Sequence, residues 1–299
     1  MDFQEVIKTI SLLSCGGLFE LRSVGRTVMS GYFADAETAV KHLQKHKSET
    51  FYIVLNEIDN ACYSREQSNT LIAKPKKTTA DCDIVGRNWV LVDIDPKRIS
   101  GVSATDDEKE IAKAVTKQVY LFLKNKGVAK PIIADSGNGY HLLYRIHTKN
   151  KAHDTDTIKA FLGYLDMTFS NEQVEIDTSV HNAARITKLY GTMATKGANT
   201  PERPHRLSKI IYVPKDGVEI NSIGAIQKVA ALMPKPQVAA QHHAFNLQDF
   251  MSRHGIQVAK INSWANGTRY VLTKCLFNEQ HQAPDAAIIQ LHQLKVRNY

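Results

Sequence analysis

The sequence predicts an α+β fold built on a split ferredoxin-like sheet, and three observations carry that expectation. Between Trp89 and Asp177 the elements read strand, helix, strand, strand, helix, strand. The middle strands are joined by Ser136-Gly137-Asn138-Gly139, and Asn-Gly is the strongest short hairpin signal. The first helix opens on a capping box, Thr105 to Glu108, and stops at Gly127. An amino-terminal α/β module at about 1–85 precedes this sheet module at about 86–233. A small carboxyl-terminal helix-hairpin appendage, 244–299, follows across a linker at 234–243.

In the amino-terminal module, Asp35 to His46 has helical spacing and Phe51 to Leu55 is a short apolar strand. The polar, basic stretch Lys74 to Thr79 reads as a loop. Trp89 begins the first strand of the sheet module. Ile111, Val115, Val119 and Phe122 recur every three or four residues, as one face of a helix does. Pro131 to Ala134 and Tyr140 to Ile146 form the hairpin, Asp154 to Phe169 the second helix, and Val174 to Asp177 the closing strand. Ala183 to Thr192 and His205 to Val213 read as two more strands, and Ser222 to Met233 as a helix. Pro234-Lys235-Pro236 begins the linker, which runs through Gln241-His242-His243. Leu247 to His254 is helical and stopped by Gly255; Ile256 to Lys260 and Thr268 to Thr273 read as a hairpin around Asn266-Gly267. In the ferredoxin-like order the first and third strands are central antiparallel neighbours, which sets Asp95 beside His141.

The 299 residues are 43 % hydrophobic and 23 % charged, which fits a soluble globular chain of one large domain or two medium ones. The net charge of +8 favours a polyanionic partner, nucleic acid or nucleotides. Met1 to Val6 has no basic-then-apolar leader, and no apolar run approaches the ~18 residues of a membrane span. Cys15, Cys62, Cys82 and Cys275 are scattered as in a reduced, cytoplasmic protein.

The chemistry starts at Val92-Asp93-Ile94-Asp95. A strand's period of two places both carboxylates on one face. Two anions so close repel and are costly to desolvate, unless a divalent cation lies between them; oxygen ligands suit Mg²⁺ or Mn²⁺. A strand end with solvated acids would carry the same letters. In Ser136-Gly137-Asn138-Gly139-Tyr140-His141, two glycines free the backbone to offer successive N–H groups to an anion, with a serine hydroxyl and an imidazole as further donors. A plain hairpin with a buried histidine is the alternative. Glu175-Ile176-Asp177 ends another strand in an acid, and Arg185 and Lys188, eight and eleven residues beyond Asp177, suit a triphosphate. Lys196, Arg203, His205 and Arg206 form a basic cluster suited to DNA phosphates, or to plain solvation. Asp81-Cys82-Asp83 is also acid-x-acid, but no apolar strand leads into it, so it reads as a loop near the site and not a ligand pair.

Together these motifs resemble the archaeo-eukaryotic primase superfamily, in its phage- and plasmid-type primase-polymerases. That family's pattern is an apolar strand ending in acid-x-acid, a Ser/Gly turn leading to a histidine on a strand, and an apolar residue followed by Asp. Here these are Val92 to Asp95, Ser136 to His141 and Ile176-Asp177, within a likeness covering residues 15 to 215. The resemblance implies a primase-polymerase catalytic core with an RNA-recognition/ferredoxin-like sheet. It implies Asp93, Asp95 and Asp177 as catalytic ligands of two Mg²⁺ or Mn²⁺ ions. It implies Ser136, Gly137, Asn138, Gly139, His141, Arg185 and Lys188 as the pocket for an NTP or dNTP. The implied activity is DNA-templated nucleotidyl transfer, as primase, DNA polymerase or both, on single-stranded DNA in replication or repair. A replicative helicase is an implied partner. Two other readings stay open: a template-free two-metal nucleotidyl cyclase, and a replication initiator that binds DNA without catalysis. Three acids and a triphosphate pocket argue against the initiator.

Cys275 and His281, six apart, offer two ligands where zinc needs four, so no zinc is expected there. His242-His243 belongs to the linker reading.

Overall fold

The computed structural model describes residues 1–25, 27–46, 50–234, 246–265, 267–278, 280–281 and 283–291. The expected linker, Pro234 apart, and Asn266 of the expected turn lie outside them. Contacts divide the chain into two compact units, Met1–Pro234 and Lys235–Tyr299.

In the first unit the chain runs α1 (Phe3–Leu13), β1 (Phe19–Ser23), β2 (Met29–Phe33), α2 (Ala36–Leu43), β3 (Phe51–Val54), β4 (Glu57–Ile58), β5 (Ile72–Ala73) and β6 (Ile84–Pro96). It continues through α3 (Asp106–Asn125), β7 (Ile132–Asp135), β8 (Tyr140–Lys149), α4 (Ala152–Phe169), β9 (Val174–Ile176) and β10 (Ile186–Lys188). β11 (Met193–Ala194), β12 (Arg206–Leu207), β13 (Lys209–Tyr212) and α5 (Ile223–Ala230) complete it. The fold is α+β, as the sequence predicts.

The starts of α1, a helix beyond the expected elements, and of α2 and α3 are each held by a side-chain cap. Asp2 caps α1 by accepting from the Gln4 and Glu5 amides, and Asp35 caps α2. Thr105 and Glu108 form the reciprocal capping box of α3. α1, α2 and one face of the first sheet bury Leu13, Leu21, Phe33, Leu43, Phe51 and Ile53 completely, worth about 1.5–3 kcal/mol per side chain.

The second sheet has the order β13-β7-β8-β6, with β9 paired to the carboxyl end of β6 and β4 to its start. Strands β9, β6, β8 and β7 therefore stand in the ferredoxin-like arrangement, with β6 and β8 central and antiparallel. Asp93 lies directly opposite His141, with Asp95 two residues further along the same face of β6. Along β6, Val90, Val92 and Ile94 point to one face with Leu142 and Tyr144 of β8, in the core that also holds α3 and α4. Trp89, Leu91, Asp93 and Asp95 point to the other face. There Trp89 donates from Nε1 to the Leu13 carbonyl at the end of α1, 3.0 Å away. Burial on both faces makes the run continuously apolar until it emerges at Asp93.

The first sheet has the order β10-β3-β1-β2-β5, so a strand from beyond the ferredoxin-like elements completes the sheet of the amino-terminal half. The predicted strand at Ala183 to Thr192 shortens to β10 because the chain turns at Leu189, whose carbonyl accepts from the Thr192 amide. The predicted strand at His205 to Val213 splits into β12 and β13 at the buried Ser208, which bonds back to Thr192.

The second unit holds α6 (Leu247–Arg253) and an antiparallel sheet of β14 (Val258–Trp264), β15 (Gly267–Leu272) and β16 (Ala287–Leu291). Leu247 and Met251 of α6 pack with Tyr270 and Leu272. The third strand, β16, goes beyond the predicted hairpin. Among the described residues, no helix is long and apolar enough to cross a membrane.

Candidate functional site

A cleft of about 840 Å³ in the first unit is lined from one side by Asp93, Asp95 and His141 and from another by Tyr52, Thr187 and Lys188. It lies where the end of β6 meets β10 and β3, so each wall comes from a different sheet.

Asp93 and Asp95 occupy alternate positions of β6 and share its cleft face. His141 Nε2 stands 3.3 Å from Asp93 Oδ1, off the line of a hydrogen bond, and that buried oxygen has no hydrogen-bond partner in the structure. Asp95 Oδ2 lies 3.4 Å from Arg98 Nη2. Burial and the neighbouring Asp93 push the Asp95 carboxyl above the usual carboxylate range. Burial acts the same way on Asp93, but His141, Lys196 and Arg185 outweigh it and hold Asp93 below that range. A like-charge pair divides in this manner, one acid keeping its charge at the other's expense. Burial alone would lower His141; Asp93 and Asp95 outweigh it and raise its affinity for a proton. Its Nδ1 shares hydrogen bonds with the Tyr190 hydroxyl at 2.7 Å and the Thr187 hydroxyl at 3.3 Å, which fix the ring so that Nε2 faces Asp93.

Asp177 follows β9 directly. Its amide donates to the Asp93 carbonyl at 3.0 Å, and continuation of the Ile94–Ile176 register sets it opposite Asp93. Its carboxylate caps the 3₁₀ turn Thr178–His181, accepting from the Ser179 amide at 2.7 Å. The structure thus brings Asp93, Asp95 and His141 together, and Asp177 to the adjoining backbone position with its carboxylate on a cap. Among the described residues, no group of three or more His, Cys, Asp or Glu is arranged to hold a metal ion. The chemistry of the pair still fits a divalent cation: two carboxylates on one strand face, mutually repelling, with a buried oxygen lacking a donor.

The Ser136–Gly139 turn corrects one expectation. Its amides are not a cradle for an outside anion, because three are already donors within the hairpin. Ser136 N–H bonds to the Gly139 carbonyl, Gly137 N–H to Asp135 Oδ1 and Gly139 N–H to Ser136 Oγ. The glycines are needed for close approach instead. A Cβ on Gly139 would fall 2.1 Å from Asp95 Oδ1 and 2.4 Å from the Ile94 carbonyl. One on Gly137, whose φ is +97°, would meet the Ala194 methyl at 2.4 Å. The side chains of Ser136 and Asn138 line the cleft, and Asn138 Oδ1 accepts from the Ala104 amide.

The cations divide. Arg185, Lys188 and Lys196 line the cleft. Arg185 is braced by Asn182 Oδ1 and the Ser179 carbonyl. The other members of the expected DNA-binding cluster are committed elsewhere, which is a second correction. Arg203 forms a two-pronged pair with Glu108 at 2.8 and 2.9 Å and also bonds the Ser103 carbonyl. Arg206 pairs with Asp106 at 2.6 Å, and His205 bonds the Gly197 carbonyl. These contacts fasten the 195–207 segment to the first turn of α3.

Tyr52, Arg98, Lys109, Thr187 and Tyr190 join the site without any motif to announce them. Lys109 reaches from α3 to Asp135 Oδ1 and the Gly137 carbonyl and stands over the Tyr140 ring. Their signal is tertiary: each becomes relevant only once the sheets are paired. Asp81 and Asp83, in contrast, are structural. Asp83 forms a two-pronged pair with Arg65, which holds its carboxyl at about 2, and Asp81 accepts from the Ala184 amide. In the second unit the Cys275 amide bonds the His281 carbonyl at 3.0 Å.

No family model matches this chain, and no curated protein matches it. Among solved structures, the AEP domain of the cyanophage S-2L primase-polymerase (PrimPol) superposes with a TM-score of 0.46 at 14 % identity, over 78 % of this chain and 98 % of that one. A likeness at that level decides nothing about activity, which rests on the cleft itself.

Proposed function

We propose that the cleft catalyses metal-dependent nucleotidyl transfer directed by a single-stranded DNA template, as a primase, a DNA polymerase or both. The observation that carries this reading is the Asp93–Asp95 pair, with its unpartnered buried oxygen, facing three cations across one cleft. Asp93 and Asp95, joined by Asp177 from the adjoining strand end, would hold Mg²⁺ or Mn²⁺. Bound there, two such ions neutralise charge at the reacting phosphorus and lower the pKa of an attacking hydroxyl.

The chain's own part is positioning and charge. Arg185, Lys188 and Lys196 take the triphosphate, with Ser136 and Asn138 as neutral donors. His141, whose hold on a proton Asp93 and Asp95 strengthen, faces the acids with Nε2, its orientation held by Tyr190. Gly139 lets the hairpin lie on Asp95 and closes that side of the cleft.

The test is extension of a labelled primer, and primer-free synthesis, on single-stranded DNA with each nucleotide set and Mg²⁺ or Mn²⁺. Product whose sequence follows the template, lost in Asp93→Asn, supports the reading. Template-independent cyclic product would move the assignment to a cyclase. DNA binding with no synthesis under any condition would move it to an initiator.

A further inference from the structure

Among the described residues, Lys188 is the one cleft cation buried without an acid. It is only 6 % exposed. Nζ donates to the Met193 carbonyl at 2.8 Å and stands 5.6 Å over the Tyr52 ring. Tyr52 faces it from β3, directly opposite in register. Of the other charged groups around it, Lys196 is cationic, Arg22 beyond Tyr52 is neutralised by Glu20, and Asp93, which also acts on Tyr52, stands against His141. Burying an ammonium with no counter-charge is costly, and such a group sheds its proton instead. A carbonyl and an aromatic face favour the ammonium only weakly and supply no net charge to offset its burial.

We propose that Lys188 is a ligand-charged group: a neutral amine in the free cleft that takes up one proton when a polyphosphate enters, so that the site selects ligands carrying enough negative charge to meet the cost of charging it. Burial, helped by Lys196, brings Lys188 down to about 7, which places the event in the neutral range. A di- or triphosphate beside Nζ supplies the missing counter-charge and restores the proton. This rests on the nucleotide reading of the cleft and adds to it the linkage of binding to protons.

The experiment is calorimetric titration of the full chain with Mg²⁺–pyrophosphate in buffers of differing ionisation heat. At pH 8, above the Lys188 value of about 7, binding takes up most of a proton more than it does in Lys188→Arg, and at pH 6 that difference becomes small. Apparent affinity weakens about tenfold per pH unit above 7. Lys188→Arg, whose charge is permanent, abolishes the uptake and flattens the profile. Should that variant not fold, Lys188→Gln binds more weakly, also without uptake. Equal uptake in wild type and variant, or tight binding with none, overturns the proposal and leaves the nucleotide reading standing. Failure of the wild type to bind pyrophosphate and every nucleotide overturns both.

Discussion

Replacing Gly139 by alanine tests whether the hairpin and the acids act as one unit. The added Cβ would fall 2.4 Å from the Ile94 carbonyl and 3.0 Å from Asp95 Cα. Both atoms belong to the backbone of the central strand and cannot rotate aside. Ordinary contact at ~3.4 Å or more requires the hairpin to withdraw by roughly 1 Å. Overpacking of that kind costs about 1–3 kcal/mol. A ~1 Å misplacement of a positioned group costs on the order of a hundredfold in rate. Gly139→Ala is therefore expected to lose about 1–3 kcal/mol in urea unfolding and about two orders of magnitude in synthesis, although no donor is removed and the Gly139 amide survives. Gly137→Ala presses on Ala194 and is strained at φ +97°, so it loses similar stability while shifting the other side of the turn, against the segment that bears Lys196. A Gly139→Ala variant within ~0.5 kcal/mol of wild type and within about threefold in activity would refute the argument.

Further expectations follow from the same geometry. Lys188 is depressed in the folded state to about 7 against ~10.4 unfolded, so the unfolded chain binds the extra proton between those values and stability rises with pH there. Wild type should accordingly gain roughly 2–3 kcal/mol relative to Lys188→Met between about pH 6 and 9, and a constant gap in denaturation at both pH values would contradict it. Because Arg203 and Arg206 are spent on Glu108 and Asp106, neutralising both should leave the salt dependence of single-stranded DNA binding nearly unchanged while lowering stability; Lys196→Gln should reduce the slope by about one instead. Arg87, 2 % exposed, donates to Asn150, Thr155 and the His181 carbonyl. Arg87→Met should cost at least ~2–3 kcal/mol by stranding those acceptors, read by thermal unfolding. Residues 1–234 should fold alone and retain synthesis, since every cleft residue lies within them; a folded but inactive truncation would assign the second unit to the working enzyme.

The sequence exposes what local physics controls. The alternation that puts Asp93 and Asp95 on one face needs only a strand, and the capping box of α3 needs only four residues, so both are readable from the letters alone. The ferredoxin-like order puts the end of β6 beside the start of β8, and only the folded sheet shows which of the two acids, Asp93, pairs directly with His141. The glycines are legible as a turn, but their purpose is not. Whether a bare Cα serves an anion or a close neighbour depends on what lies within 3 Å, and Asp95 and Ala194 are 44 and 57 residues away from their respective glycines.

The basic residues show the limit most plainly. Arg185, Lys188, Lys196, Arg203 and Arg206 look alike as letters, yet their availability depends on partners distant in sequence. Arg203 and Arg206 meet acids about a hundred residues back on α3, and so become fasteners. Lys188 meets a carbonyl and an aromatic ring, and so becomes the cation whose charge depends on what occupies the cleft. Formal net charge counts all five equally. The field a ligand meets does not: it comes from the cations that folding leaves without an acid. Among the described residues lining the cleft those are Lys196 and, once a ligand charges it, Lys188, with Arg185 braced by neutral oxygens.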